Sequence, residues 1–167
     1  TEPCFSEIGA ENILIATGSR PYIPKIDGIN LPGVITSDDL TSGFDNFKSL
    51  VIIGGGVIGV EFAFILNSYG VDVTIVEAES RLLPGIDKEV SQNLSLIMKK
   101  SGIKLFLSST VESINKGDSL ICSIKTNKET LNIACDRVLV AVGRAPNTGE
   151  LFDKSLDIKI KNGIITD

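Results

Sequence analysis

Leu50-Val51-Ile52-Ile53-Gly54-Gly55-Gly56-Val57-Ile58-Gly59-Val60-Glu61 is the stretch on which the reading of this chain turns. Four aliphatic residues run into three consecutive glycines, and an apolar segment with helical spacing follows: strand, tight turn, helix. The spacing predicts a helix over 57–69, with Ile58, Phe62, Ile65, Leu66 and Tyr69 on one side and Gly70 as its stop. A second strand is predicted over 72–77, ending at Glu77. A second amphipathic helix follows over 87–101, closed by Gly102, and a third strand over 103–107. The order βαβαβ is that of a doubly wound half-unit.

Downstream the period changes. Residues 110–115, 119–126 and 129–133 read as three short strands, with Lys116-Gly117-Asp118 and Asn127-Lys128 as the turns between them. One more apolar strand, 137–142, ends at Gly143. Upstream, 12–17 reads as a short buried strand ending at Gly18. Pro21 and Pro24 favour an extended run over 19–24. Residues 27–49 read as a linker with a short helix starting at Ser37-Asp38-Asp39. The tail, 156–167, contains a hairpin signal at Lys161-Asn162-Gly163. No tandem repeat or low-complexity segment is present. The expected fold is α/β: a Rossmann-like parallel sheet with flanking helices and a three-stranded antiparallel β-meander in place of one crossover helix.

Composition narrows the chemistry. The 167 residues are 43% hydrophobic and 22% charged, enough for one domain with a core. Aromatics make up 5% and Trp is absent, so the core must be aliphatic, as buried parallel strands require. The net charge of -5 and the scattered basic residues argue against nucleic acid or an anionic membrane as partner. No apolar run approaches the ~18 residues of a membrane helix, and no signal peptide is visible. Cys4, Cys122 and Cys135 have no metal-type spacing and the chain has no His, so neither a zinc site nor a hydrolytic triad is expected. Reduced thiols and a cytoplasmic location are expected instead. The chain begins Thr1-Glu2-Pro3 and its one Met is Met98, which reads as a piece of a longer protein, although removal of an initiator Met before Thr1 would give the same start.

The glycine cluster sits in the context that gives it meaning. Gly54 permits the turn out of the strand, Gly56 leaves room for a pyrophosphate against the backbone, and Gly59 lets the helix lie close to the sheet. Gly55 lies between them. The helix start offers unpaired N–H groups and a partial positive charge to phosphates. Glu77, 23 positions after Gly54, can accept hydrogen bonds from the adenine ribose. The pattern therefore points to dinucleotide binding. A carboxylate at Glu77 repels a 2′-phosphate, which favours NAD(H) over NADP(H), with Arg81 as the one nearby counter-candidate. Glu61, on the first helical turn, either interacts with the helix dipole or approaches the nicotinamide; spacing leaves both open.

Three motifs in order carry a resemblance: Ile15-Ala16-Thr17-Gly18-Ser19-Arg20-Pro21, then residues 54–61, then Val140-Ala141-Val142-Gly143-Arg144-Ala145-Pro146-Asn147-Thr148. Together they resemble the flavin-dependent pyridine nucleotide–disulfide oxidoreductases. Residues 24–40 and 82–89 look most like the dihydrolipoamide dehydrogenase branch. The resemblance covers nearly the whole chain. It implies that Gly54, Gly56, Val57, Ile58, Gly59, Glu61 and Glu77, with Val111 and Gly143, contact NAD. It implies that Thr17, Gly18 and Ser19 touch FAD in the intact enzyme. The implied organisation is 1–21 as the edge of an FAD domain, 22–145 as the NAD(H)-binding domain with a leading linker, and 146–167 as the start of the return to the FAD and central domains.

The family's first FAD fingerprint, its redox-active cysteine pair and its interface domain are not in this sequence. The expectation is therefore an NAD(H)-binding domain that positions nicotinamide for hydride exchange with FAD but does not complete the reaction alone. Its partners would be NAD(H) and the rest of the parent flavoenzyme, itself expected to be a homodimer. The alternatives are the corresponding domain of an NADH oxidase or mercuric reductase, or a module that senses NAD(H) without chemistry.

Overall fold

A computed structural model of the chain describes residues 8–43, 46–149, 151–153 and 155–166. Cys4 lies outside the described residues. Two compact units result: Thr1–Arg20 with Pro146–Asp167, and the larger Pro21–Ala145.

Chain order gives β1 (Ser19–Pro21), β2 (Val34–Thr36), α1 (Ser37–Ser42), β3 (Ser49–Ile53), α2 (Val57–Ser68), β4 (Asp72–Val76), α3 (Lys88–Lys100), β5 (Lys104–Phe106), β6 (Thr110–Lys116), β7 (Leu120–Lys125), β8 (Thr130–Cys135), β9 (Arg137–Val140) and β10 (Arg144–Pro146). The central sheet of the larger unit is five-stranded in the order β2-β9-β3-β4-β5. All four of its pairings are parallel, with Leu50 opposite Val73 on one side and Arg137 on the other. β6, β7 and β8 form a separate antiparallel sheet, with a register shift between Val111 and Ser113. The fold is thus the α/β arrangement expected, with the meander standing where a crossover helix would be. β1 and β10 make a two-stranded sheet.

The aliphatic strands are buried on both faces, which is why they read as continuous runs rather than as alternation. On β3, Leu50 and Ile52 pack with Ala63, Leu66 and Met98 of the helices. Val51 and Ile53 pack with Ile114, Cys122 and Ile124 of the meander. β4 divides likewise, Val73 and Ile75 against Val76. The helices share one core and the meander closes the other.

Local chemistry sets the ends. Thr36 and Asp39 form a reciprocal capping box on α1. Asp87 caps α3 by accepting from the Glu89 N–H at 2.8 Å. Both long helices stop in the same motif: Gly70 N–H donates to Asn67 O and Val71 N–H to Leu66 O, while Gly102 N–H donates to Lys99 O and Ile103 N–H to Met98 O. In each, the residue after the glycine is buried against the core. Asp136 clamps the start of β3 to the start of β9. Its carboxylate accepts from the N–H groups of Lys48 at 2.8 Å and Ser49 at 3.0 Å, which hold its pKa below the ordinary carboxylate value.

Three expectations are corrected. Residues 12–17 form no strand, and Ile13 and Leu14 are exposed. A short apolar segment becomes a strand only where another strand pairs with its backbone, and among the described residues none does. Residues 27–49 are more than a linker and a helix. Val34–Thr36 is an edge strand beside β9, and Asp27 bridges to Ser113 of the meander. A three-residue strand is too short to show a period. The buried face of α2 is Gly59, Val60, Ala63 and Leu66, whereas Ile65 and Tyr69 are exposed. The close approach is at the first turn, where a Cβ on Gly59 would meet the Gly54 carbonyl and Ile52 of β3, and this turns Val60, Ala63 and Leu66 toward the sheet and leaves Ile65 and Tyr69 outside. The tail signal at Lys161-Asn162-Gly163 becomes a turn, with Ile160 and Ile164 bridged antiparallel across it.

Candidate functional site

A cleft of about 760 Å³ opens within the larger unit at the carboxyl ends of β3, β4 and β9. β3 is followed by β4 on one side, while β9 lies on its other side; that change of direction is where open parallel sheets leave a crevice. The base is made by Ile53, Gly54, Val76, Glu77, Ala141 and Val142. Tyr22, Pro24 and Ile26 line it from the segment before β2, and Ser109, Thr110 and Val111 from the opening of the meander. Of the residues singled out in the sequence, Gly54, Gly56, Val57, Ile58, Glu77, Val111 and Gly143 line this one cleft.

The four glycines of the fingerprint have four different reasons to be glycine. Gly54 has φ +109, and a Cβ there would run into the Ala141 carbonyl of the strand end beside it. A Cβ on Gly55 would meet Leu82 Cδ2 at 2.5 Å and Glu77 Cβ at 3.1 Å. One on Gly59 would collide with the Gly54 carbonyl and stand 3.3 Å from Ile52 Cγ2 on β3, so the helix lies close to both the turn and the sheet, the latter as expected from the spacing. Gly56 is different. Its φ of -75 and ψ of -175 suit any residue, and a Cβ would meet nothing within 4 Å. A Cβ there would stand in open space at a residue that lines the cleft, so nothing in the protein requires this glycine. The first intrahelical bond of α2 is Val60 N–H to Gly56 O at 3.0 Å, which leaves the preceding helical N–H groups free to receive an anion.

Glu77 is only 8% exposed and its carboxylate is committed inward. Oε2 accepts from Gly55 N–H at 2.5 Å and Oε1 from Glu79 N–H at 2.7 Å. Its own backbone continues the sheet, with N–H donating to Phe106 O and O accepting from Ser109 N–H. A carboxylate has about four lone-pair sites, so two remain for hydroxyl donors in the cleft. The sequence reading saw Glu77 as a ligand contact; its hold on the glycine turn was not visible from spacing.

Other sites stand apart from the cleft. Glu61 is exposed, lies just past the first turn of α2 rather than on it, and is not among the cleft residues. Arg81 is not either, and its guanidinium donates to the Pro84 carbonyl at 2.6 Å. Arg144 does line the cleft and pairs with Asp38 at 2.9 Å. Thr17, Gly18 and Ser19 belong to the smaller unit. There Thr17 Oγ1 donates to Asn147 O at 2.8 Å, Asn147 Nδ2 donates back to Thr17 O at 3.0 Å, and Asn147 N–H donates to Gly18 O. The first and third sequence motifs are thus laced to each other. Tyr22, Pro24, Ile26 and Pro84 were not anticipated, since nothing in their local spacing marks them. Among the described residues no cluster of three metal-ligating side chains exists, and no helix is long and apolar enough to cross a membrane.

Comparison with known proteins agrees with this architecture. A family described as pyridine nucleotide-disulphide oxidoreductase matches residues 5–167. Dihydrolipoyl dehydrogenase of Bacillus subtilis is 34% identical over 161 residues, covering 93% of this chain and 34% of that protein. The solved HOCl-induced flavoprotein disulfide reductase RclA of Escherichia coli superposes with a TM-score of 0.78 at 32% identity, over 91% of this chain and 35% of its own. The water-forming NADH oxidase of Lactobacillus brevis, solved with NADH, superposes with a TM-score of 0.69 at 31% identity, over 78% of this chain and 30% of its own. The chain spans about a third of the length of the relatives it matches. A glycine-turn cleft on a sheet of this topology, in a sequence matched from residue 5 to residue 167, makes the chain a member of the pyridine nucleotide-disulphide oxidoreductase family.

Proposed function

We propose that this chain is the NAD(H)-binding domain of an FAD-dependent, dihydrolipoamide dehydrogenase-like oxidoreductase. The observation that carries the reading is Gly56: an unstrained glycine that lines the cleft at the start of a helix, with open space where a side chain would stand. The turn residues 54–59 receive the pyrophosphate on backbone N–H groups. Glu77 takes the adenine ribose hydroxyls on its two remaining lone-pair sites. Val57, Ile58, Val111 and Gly143 wall the cleft. Bound NAD+ supplies the two-electron hydride acceptor. The apolar walls exclude water from it, and the fixed turn sets its orientation. No side chain of the chain is asked to move a proton.

In the parent enzyme Thr17, Gly18 and Ser19 would touch FAD, and residues 22–145 would form the NAD domain between the two flavin-side segments, 1–21 and 146–167. The remaining flavin contacts and the disulfide chemistry would come from the rest of the parent, so the chain by itself is not expected to turn over. NAD(H) is preferred over NADP(H) because an engaged carboxylate at Glu77 repels a 2′-phosphate and Arg81 is turned to Pro84. Titration calorimetry with NADH and NADPH tests this. Tighter NADH binding is expected. Equal or tighter NADPH binding overturns the selectivity, and no binding of either overturns the dinucleotide reading.

A further inference from the structure

Leu83 has φ +49, a left-handed backbone that a bulky residue adopts at a cost and keeps only when its surroundings require it. Its N–H donates to the carbonyl of Gly55 at 2.9 Å. The segment it belongs to is anchored firmly. Leu82 is fully buried and stands against Gly55, and the hydroxyl of Ser91, fully buried on α3, donates to the Leu82 carbonyl. The Gly55 carbonyl is therefore held from α3 through Leu82 and Leu83.

That bond has a consequence one atom further along. A trans peptide is planar, so the N–H of Gly56 points opposite to the Gly55 carbonyl. With the carbonyl drawn toward Leu83, the Gly56 N–H is turned away from that segment. Among the described residues it has no hydrogen-bond acceptor, and Gly56 itself lines the cleft. Glu77 holds the preceding peptide by Gly55 N–H in the same way. We propose that Leu83, outside the glycine fingerprint, is a positioning residue of the dinucleotide site: its backbone N–H orients the Gly55–Gly56 peptide so that the Gly56 N–H meets a ligand phosphate. The proposal rests on the dinucleotide reading above. It assigns the left-handed turn after β4 a role in binding rather than in folding alone.

The test separates the backbone N–H of Leu83 from its side chain. Leu83→Asn keeps the donor and tolerates a left-handed backbone, while an α-hydroxy acid in place of Leu83 keeps the side chain and replaces the N–H by an ester oxygen. NADH and ADP, which share the pyrophosphate, are titrated against the parent chain and both variants. The ¹⁵N–¹H resonance of Gly56 is followed in each. The ester variant should bind both ligands about tenfold more weakly or worse, whereas Leu83→Asn should stay within about threefold of the parent. The ligand-induced shift of Gly56 should be lost in the ester variant and kept in Leu83→Asn. Parental affinity in the ester variant overturns the proposal. So does an ester variant in which the Gly56 resonance still shows the parental ligand-induced shift, because the Gly56 N–H would then meet the phosphate without the Leu83 bond. A parent chain that binds neither ligand overturns the dinucleotide reading itself, and the proposal with it.

Discussion

Gly56→Val is the substitution that separates binding from folding at this site. At φ -75 and ψ -175 valine is comfortable, and the first atom it adds meets nothing within 4 Å. The strand before it and the helix after it keep their contacts. The folding terms are small and opposed. Valine is a poorer N-cap than glycine, while losing a glycine from the unfolded chain stabilises by ~0.4–1 kcal/mol. The net should stay within about 1 kcal/mol, or roughly 2–4 °C in Tm for a chain of this size. Binding is another matter. The isopropyl group fills cleft space beside the free N–H groups of α2, and NADH affinity should fall about tenfold or more, which is ~1.4 kcal/mol. Gly54→Ala is the mirror image: at φ +109 the new methyl runs into the Ala141 carbonyl, and the unfolded fraction should rise through a loss of about 3 kcal/mol or more. Thermal denaturation without ligand reads the first quantity and NADH titration reads the second. The reasoning is refuted if Gly56→Val binds NADH like the parent, or if it unfolds as readily as Gly54→Ala.

Two further outcomes follow from groups away from the cleft. Asp136 is held below the ordinary carboxylate pKa by the Lys48 and Ser49 N–H groups, so its contribution is present above the unfolded value and is lost as pH falls through the folded one. Asp136→Asn should therefore lower Tm at neutral pH by a margin that shrinks once pH drops below about 4, and a margin independent of pH would contradict the clamp. Cys122 and Cys135 are buried together, and the hydrogen bond that the Cys122 thiol donates to Cys135, with burial, pushes the Cys122 thiol well above its ordinary pKa. Both should resist a thiol-disulfide reagent in the native chain and react in denaturant, read by mass mapping of the labelled peptides; rapid native labelling of either would show that the sheet–meander core opens.

Local patterns carried much of the architecture. The aliphatic run 50–53, the glycines after it, the stops at Gly70 and Gly102 and the turn residues of the meander all act over a few neighbours, so their consequences are legible in order along the chain. The cleft's strand-end residues were legible for the same reason, since a strand followed by a glycine turn and an acid two dozen positions on is itself a short-range grammar. What the sequence could not decide is anything set by distance in space. Asn12 to Thr17 has the composition of a strand and, among the described residues, no strand paired with it. Val34 to Thr36 becomes one only because β9 lies beside it. The face that α2 buries is chosen by how near the helix lies to the sheet, which put Gly59 and Ala63 inside and left Ile65 and Tyr69 out. Glu77 acts on Gly55, and Leu83 on the same residue from the other side, across 22 and 28 positions that no local pattern links. The fingerprint marks where a phosphate can sit, and only the packed structure decides which groups hold its backbone in place.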